Sequence, residues 1–191
     1  MPTYPETVFP DHTPETAPPA SRRALTATAD RLGHLPAAVA RMAGSPHLLD
    51  GFLTVSGLFE ATTLDRVARE VVILTIATRN GCGVCVAMHT AVLAGAGADG
   101  ALVEALRAQR PLADERLEAV RGFVLEVLAA GGAVGDDALR AFLAHGYTPR
   151  NALEVVLGIG AYTMSTLANR LTRAPLAEPL APFAWHPDGR A

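Results

Sequence analysis

Two cysteines, Cys82 and Cys85, and one histidine, His89, stand at i, i+3 and i+7 of a single apolar run, CGVCVAMHTAVLAGAG. Spacings of three and four place successive members on neighbouring turns of one helical face. Cys82 directly follows Gly81 at the start of that run. There the free N–H groups and the positive end of the helix dipole favour a thiolate, which is the reactive form of cysteine. His89, one turn beyond Cys85, is placed to take a proton from it. A nucleophilic thiol beside a second thiol is the minimal equipment for reversible disulfide chemistry. Glu70, twelve residues before Cys82, is the only acidic side chain between Val67 and Val84. A carboxylate in so apolar a stretch needs a partner, and His89 is the natural one, directly or through a water.

The order of attack follows from magnitudes. The helix end favours Cys82 by about 0.3–1 kcal/mol. A base within reach of Cys85 contributes about 10²–10⁴-fold. The expectation from sequence is therefore that Cys85 is the attacking thiol and Cys82 resolves its oxidised form into a disulfide. Zinc would need about four ligands. Cys82, Cys85, His89 and Glu70 are the only set on offer, with no second CxxC and no histidine pair. No metal is expected. The remaining histidines, His12, His34, His47, His145 and His186, carry no spacing signal. Trp185 is expected to anchor the tail.

These residues need helices to hold them. Of the 191 residues, 50% are hydrophobic and 18% charged, enough to build a sizeable core. Residues 1–20 hold six of the 14 prolines and are expected to form an extended arm, residues 21–175 a single all-helical domain, and residues 176–191 an irregular tail. Helices are expected from Ser21 to Arg31, from Ser45-Pro46 to Glu60, over 64–79, from Cys82 to Ala96, after Asp99, from Asp114 to Ala130, from Asp136 to Gly146, and from Thr148-Pro149 to Leu171. No segment sustains period-two alternation, so the fold class is all-α.

DRVAREVVILTIA (65–77) aligns with PRNALEVVLGIGA (149–161) at a constant offset of 84, with six of 13 positions identical. On that offset Glu70 matches Glu154, Cys82 matches Thr166, Cys85 matches Asn169 and His89 matches Arg173. A degenerate repeat of helical units must stack to bury its apolar faces, so the two long helices are expected to pack on each other.

Composition also excludes partners. All 16 basic residues are arginine and are scattered, and the formal charge is −3. A nucleic-acid footprint is absent. No apolar run reaches a membrane-span length, and the N-terminus does not read as a signal peptide. Cys82 and Cys85 would close too small a loop to staple a secreted fold. The expected setting is cytoplasmic. No glycine-rich nucleotide fingerprint follows a strand, so no flavin or nicotinamide cofactor is implied.

The pattern of Glu70, eleven residues, Cys82-x-x-Cys85-x-x-x-His89 and a closing AVLAGAG resembles the alkylhydroperoxidase D-like proteins of the carboxymuconolactone decarboxylase superfamily. The upstream LPAAVARMAGSPHLLDGF is similar to the entry segment of the same family. The resemblance spans about residues 34–172, and the length and proline-rich arm look like its peroxidase-related subgroup. It implies a helical bundle assembled into homo-oligomers (dimer, trimer or hexamer). It implies that Cys82 and Cys85 reduce a hydroperoxide, that Glu70 and His89 relay protons, and that an external thiol or protein reductant resets the pair. Val84 stands where alkylhydroperoxidase D itself carries histidine. Two other readings come from different classes. One is a cofactor-free lyase with Glu70 or His89 as the acid/base group. The other is a non-catalytic oligomeric or metal-binding module.

Overall fold

The computed structural model describes residues 8–187. It consists of nine α-helices in chain order. They are α1 (Pro19–Leu32), α2 (Ala37–Met42), α3 (Pro46–Glu60), α4 (Arg66–Arg79), α5 (Gly83–Gly95), α6 (Gly100–Arg107), α7 (Glu115–Ala129), α8 (Asp136–Ala144) and α9 (Pro149–Thr172). A 3-10 segment, Glu178–Phe183, follows in the tail, and no strand occurs among the described residues.

The chain is organised around α4, where every residue from Glu70 to Thr78 is buried. α4 packs against α9, α5, α7 and α6. A helix buried on all sides must satisfy its own polar groups. Thr75 and Thr78 do so by donating to the carbonyls of Val71 and Leu74 at 2.6 and 2.8 Å. The two repeat-related helices, α4 and α9, stack as the internal similarity requires. They approach closely because Gly158 has no side chain. A Cβ there would lie 2.6 Å from the Phe59 ring and 3.0 Å from Val72. Gly158→Ala gains about 1 kcal/mol of helix propensity. It also forces Phe59, itself fully buried, to move, at about 1–3 kcal/mol. A net loss of thermal stability is expected, read as a lower Tm by calorimetry.

Several helix boundaries differ from the sequence expectation. α1 begins at Pro19, so Ser21 lies inside the helix instead of capping it, and its buried hydroxyl donates to the Ala43 carbonyl at 2.8 Å. α4 starts at Arg66, because Asp65 takes the N-cap role, its carboxylate accepting from Ala68 N–H at 2.8 Å. Thr63, just before it, donates to the Glu154 carboxylate through its N–H and its hydroxyl. α2 was not expected from the sequence. It has no side-chain cap and is held by burial of Ala40 and Met42. Part of the expected arm, residues 1–7, lies outside the described residues. The rest rests on the body, with Asp11 paired to Arg41 at 2.6 Å and Ala17 buried.

No helix of the described residues is long and apolar enough to cross a membrane.

Candidate active site

α4 ends at a tight turn that delivers the first cysteine. Gly81 adopts φ +64°, a left-handed conformation open to glycine at little cost. The Cys82 N–H then reaches back to the Ala77 carbonyl at 2.9 Å. Cys82 is the N-cap of α5, one residue before the helix proper, and no side-chain hydrogen bond caps that end. The second repeat unit has Met164-Ser165 where the first has Asn80-Gly81. With no glycine to break it, α9 runs straight through. Asn80 Nδ2 ties the turn to Thr166 Oγ1 of α9 at 2.8 Å, and the Arg170 guanidinium donates to the Asn80 carbonyl.

Both cysteines are free thiols and both are buried. Their sulfurs are 3.0 Å apart, about 1 Å longer than a disulfide bond. Cys85 Sγ also accepts from Asn169 Nδ2 at 3.3 Å and lies 3.9 Å from Ser165 Oγ. These contacts divide the charge unequally. The hydrogen bond between the two thiols first, and then the Cys85 backbone N–H, Asn169 and the Arg170 charge, pull the Cys82 thiol down to about 7 despite burial. Cys85 is pushed well above the usual thiol range by the same thiol–thiol hydrogen bond, by burial and by the charge of Cys82. Alkylation of Cys82 by iodoacetamide should therefore rise through an inflection near pH 7 and flatten above it. Cys85 should stay unmodified through the same range. Peptide mass spectrometry of quenched samples reads both, and an inflection near 9 for Cys82 would contradict this division of charge.

Glu70 and His89 meet as the sequence suggests. Glu70 Oε2 is 2.8 Å from His89 Nδ1, and both residues are buried. Tyr162 of α9 packs edge-on against the imidazole, ring centroids 5.3 Å apart. Burial first, and then the Glu70 charge, push the Tyr162 hydroxyl well above its usual range, so it stays neutral. Among the described residues no hydrogen bond joins His89 to Cys85, and the ring nitrogen that is engaged faces Glu70. Also among them, no three His, Cys, Asp or Glu side chains gather as a metal site.

Three site residues were not expected from sequence: Asn169, Ser165 and Tyr162, all on α9. Asn169 left a signal, since it is the repeat partner of Cys85. This matched pair, Cys85 and Asn169, is in direct contact. Glu154, the partner of Glu70, has a different role, bonding Thr63, Asn151 and Arg150.

The tail covers this end of the molecule. Arg107 donates to the Phe183 and Ala184 carbonyls at 2.9 and 2.7 Å, and Trp185 Nε1 donates to the Arg107 carbonyl at 3.0 Å. Trp185 thus anchors the tail, as expected. Its carbonyl oxygen would lie 2.7 Å from a Cβ on Gly83, so glycine is needed for the tail to lie this close. Between tail and helices is a cavity of about 320 Å³, floored by Cys82 and Gly83 and walled by Asn169, Arg170, Trp185 and His186. A larger depression of about 430 Å³ lies between α7 and α8. Its polar lining, including Glu118, Glu126 and His145, contains no thiol.

The arrangement defines a helical protein with a paired-thiol site at the start of one helix and a buried carboxylate–imidazole pair behind it. Comparison with known proteins shows what this arrangement is similar to. Residues 46–126 match the model of the carboxymuconolactone decarboxylase family. A peroxidase-related protein from Ralstonia eutropha JMP134, solved as an alkylhydroperoxidase AhpD core, superposes with a TM-score of 0.78 at 18% identity, over 93% of this chain and 96% of that one. A peroxidase-related protein from Silicibacter sp. TM1040 superposes with a TM-score of 0.75 at 18% identity, over 92% and 93%. The debrominase Bmp8 shares the fold at a TM-score of 0.71 and 15% identity, over 93% and 96%. No curated protein matches the chain. The chain is thus similar to the carboxymuconolactone decarboxylase family over residues 46–126, and it shares its fold with solved alkylhydroperoxidase D-like proteins.

Proposed function

We propose that this protein is a thiol-dependent peroxidase that reduces organic hydroperoxides, with Cys82 as the attacking thiolate and Cys85 as the resolving thiol. A fold shared by peroxidase-related proteins and a debrominase does not choose the reaction. The observation that carries the reading is Cys82 itself. It combines a pKa drawn down to about 7 with a place on the floor of a cavity and a second thiol at 3.0 Å.

The order of attack is the reverse of the sequence expectation. That expectation rested on His89 serving Cys85 as base during peroxide attack. Cys85 is fully buried, carries the less acidic thiol and does not line the cavity. Cys82 is already substantially thiolate at neutral pH and needs no base to attack.

The chemistry balances in two steps. The Cys82 thiolate attacks the terminal oxygen of the hydroperoxide. The O–O bond breaks, the alkoxide leaves and takes a proton to become an alcohol, and Cys82 becomes a sulfenic acid. Cys85 then gives up its proton and attacks the Cys82 sulfur. The hydroxyl leaves as water and a disulfide forms. The buried Glu70–His89 pair, whose imidazole is one turn along α5 from Cys85, accepts the Cys85 proton and returns it to the departing hydroxide, so that water leaves and the pair is reset. An external thiol or dithiol reduces the disulfide and restores both thiols. A reducing, cytoplasmic setting fits this cycle. The test is hydroperoxide consumption with a dithiol present, at a rate above that of dithiol alone. Unchanged consumption overturns the proposal.

The same reading includes self-association. Leu153, Val156, Leu167 and Leu171 form an exposed stripe along α9, from 50% to 73% exposed, with Leu58 of α3 exposed as well. A lone chain rarely presents so long an apolar face to water. Light scattering at micromolar concentration is expected to give a multiple of 19.9 kDa, and a mass near 20 kDa would contradict it.

A further inference from the structure

We infer that the cavity over Cys82 binds small organic anions, so that the hydroperoxides reduced there are those bearing a carboxylate. The preference for a charged substrate rests on the proposed thiol chemistry. The binding of the anion does not.

Arg170 borders the cavity, and no Asp or Glu does among the described residues. The N-terminus of α5, a helix of 13 residues, opens onto the same space. The Cys85 N–H is turned to the Cys82 sulfur, and the positive end of the helix dipole still faces the cavity and favours an anion there. Arg170 spends one arm on the Asn80 carbonyl, and its planar fork has further donors suited to a carboxylate. Asn169 supplies an independent pointer to a ligand. It borders the cavity, is 3% exposed, and its Oδ1 has no hydrogen-bond partner although buried. A buried acceptor of this kind calls for a donor, and its Nδ2 is already committed to Cys85. The O–H of a hydroperoxide is such a donor. Trp185, fixed through its indole N–H, adds an apolar wall for the organic body. The volume, about 320 Å³, sits at the small end of ligand sites, roughly 300–1,000 Å³.

The experiment uses the reduced full-length protein and no peroxide. Cys82 is alkylated in parallel with iodoacetate and iodoacetamide, and the ratio of the two initial rates is compared with that of a short peptide containing the CGVC segment. Both reagents consume the same thiolate, so the ratio is insensitive to the thiolate fraction and reads the local field. The expected ratio favours iodoacetate relative to the peptide by about tenfold. Arg170→Gln removes most of that preference, and Arg170→Lys, which keeps the charge, retains it. Benzoate, but not its neutral isostere benzamide, should slow iodoacetamide alkylation saturably. A ratio equal to the peptide's, or equal protection by benzoate and benzamide, overturns the inference. If the anion preference is found and the protein reduces no hydroperoxide, the peroxidase reading fails and the anion site stands. If the protein reduces neutral and carboxylate-bearing hydroperoxides with equal kcat/KM, the substrate preference fails and the peroxidase reading stands.

Discussion

Cys82→Ser is expected to abolish hydroperoxide reduction, leaving only the background rate of the reductant with peroxide. The argument is one of nucleophile and geometry together. Serine in that place is a hydroxyl at neutral pH, without the drawn-down acidity that Cys82 has from the Cys85 thiol, the helix N–H groups and Arg170. No other sulfur of the pair borders the cavity. Cys85→Ser should behave differently. It keeps Cys82 in place and permits one round of attack, so one equivalent of alcohol forms per chain and turnover then stalls without a resolving thiol. The Cys82 thiol should also become less acidic in that variant, because a hydroxyl replaces the thiol partner that lowers it most. The first turnover should therefore slow while remaining measurable. Rapid-quench measurement of alcohol formed per chain separates the two variants. A full first turnover in Cys82→Ser with none in Cys85→Ser would reverse the roles.

The second large effect concerns Glu70 and His89. Glu70→Gln keeps the shape of the side chain but removes its charge, and its effect should fall on disulfide closure. Cys82 does not need a base at neutral pH, whereas Cys85 must lose a strongly held proton before it attacks. A positioned base contributes about 10²–10⁴-fold to such a step. Stopped-flow under single-turnover conditions should thus show sulfenic acid forming at near the parent rate and disulfide closing at least about 10²-fold more slowly. Equal slowing of both steps would place the pair in peroxide attack instead. Glu70→Ala is expected to cost stability as well, since it leaves the buried imidazole without its 2.8 Å partner. Loss of one member of a buried pair costs about 3–5 kcal/mol when both are charged.

Much of this was legible from residue types and spacing. The central helices α4 and α5, the Glu70–His89 pairing and the stacking of the two repeat-related helices all follow from local periodicity, glycine stops and the internal similarity. What could not be read were contacts made across helices. Cys85 belongs to His89 by spacing, yet its sulfur is met by Asn169 and Ser165, 84 and 80 residues away. The repeat alignment named Asn169 as the counterpart of Cys85, but alignment gives correspondence and not contact. α2 escaped because six residues without a cap carry no start signal and are fixed only by burial. The tail was expected to be irregular and contains a 3-10 segment at Glu178–Phe183. Its position over Cys82 depends on Arg107 and on the missing Cβ of Gly83, neither of which marks itself in the sequence.

The claim at the centre of this account is that the cavity-floor cysteine carries the oxidised sulfur. Trapping sulfenic acid with dimedone in the Cys85→Ser protein, after one equivalent of an organic hydroperoxide, tests it most directly. The account predicts a single adduct on the peptide containing Cys82. Adduct on Cys85 in the Cys82→Ser protein, with none on Cys82 in Cys85→Ser, would contradict it.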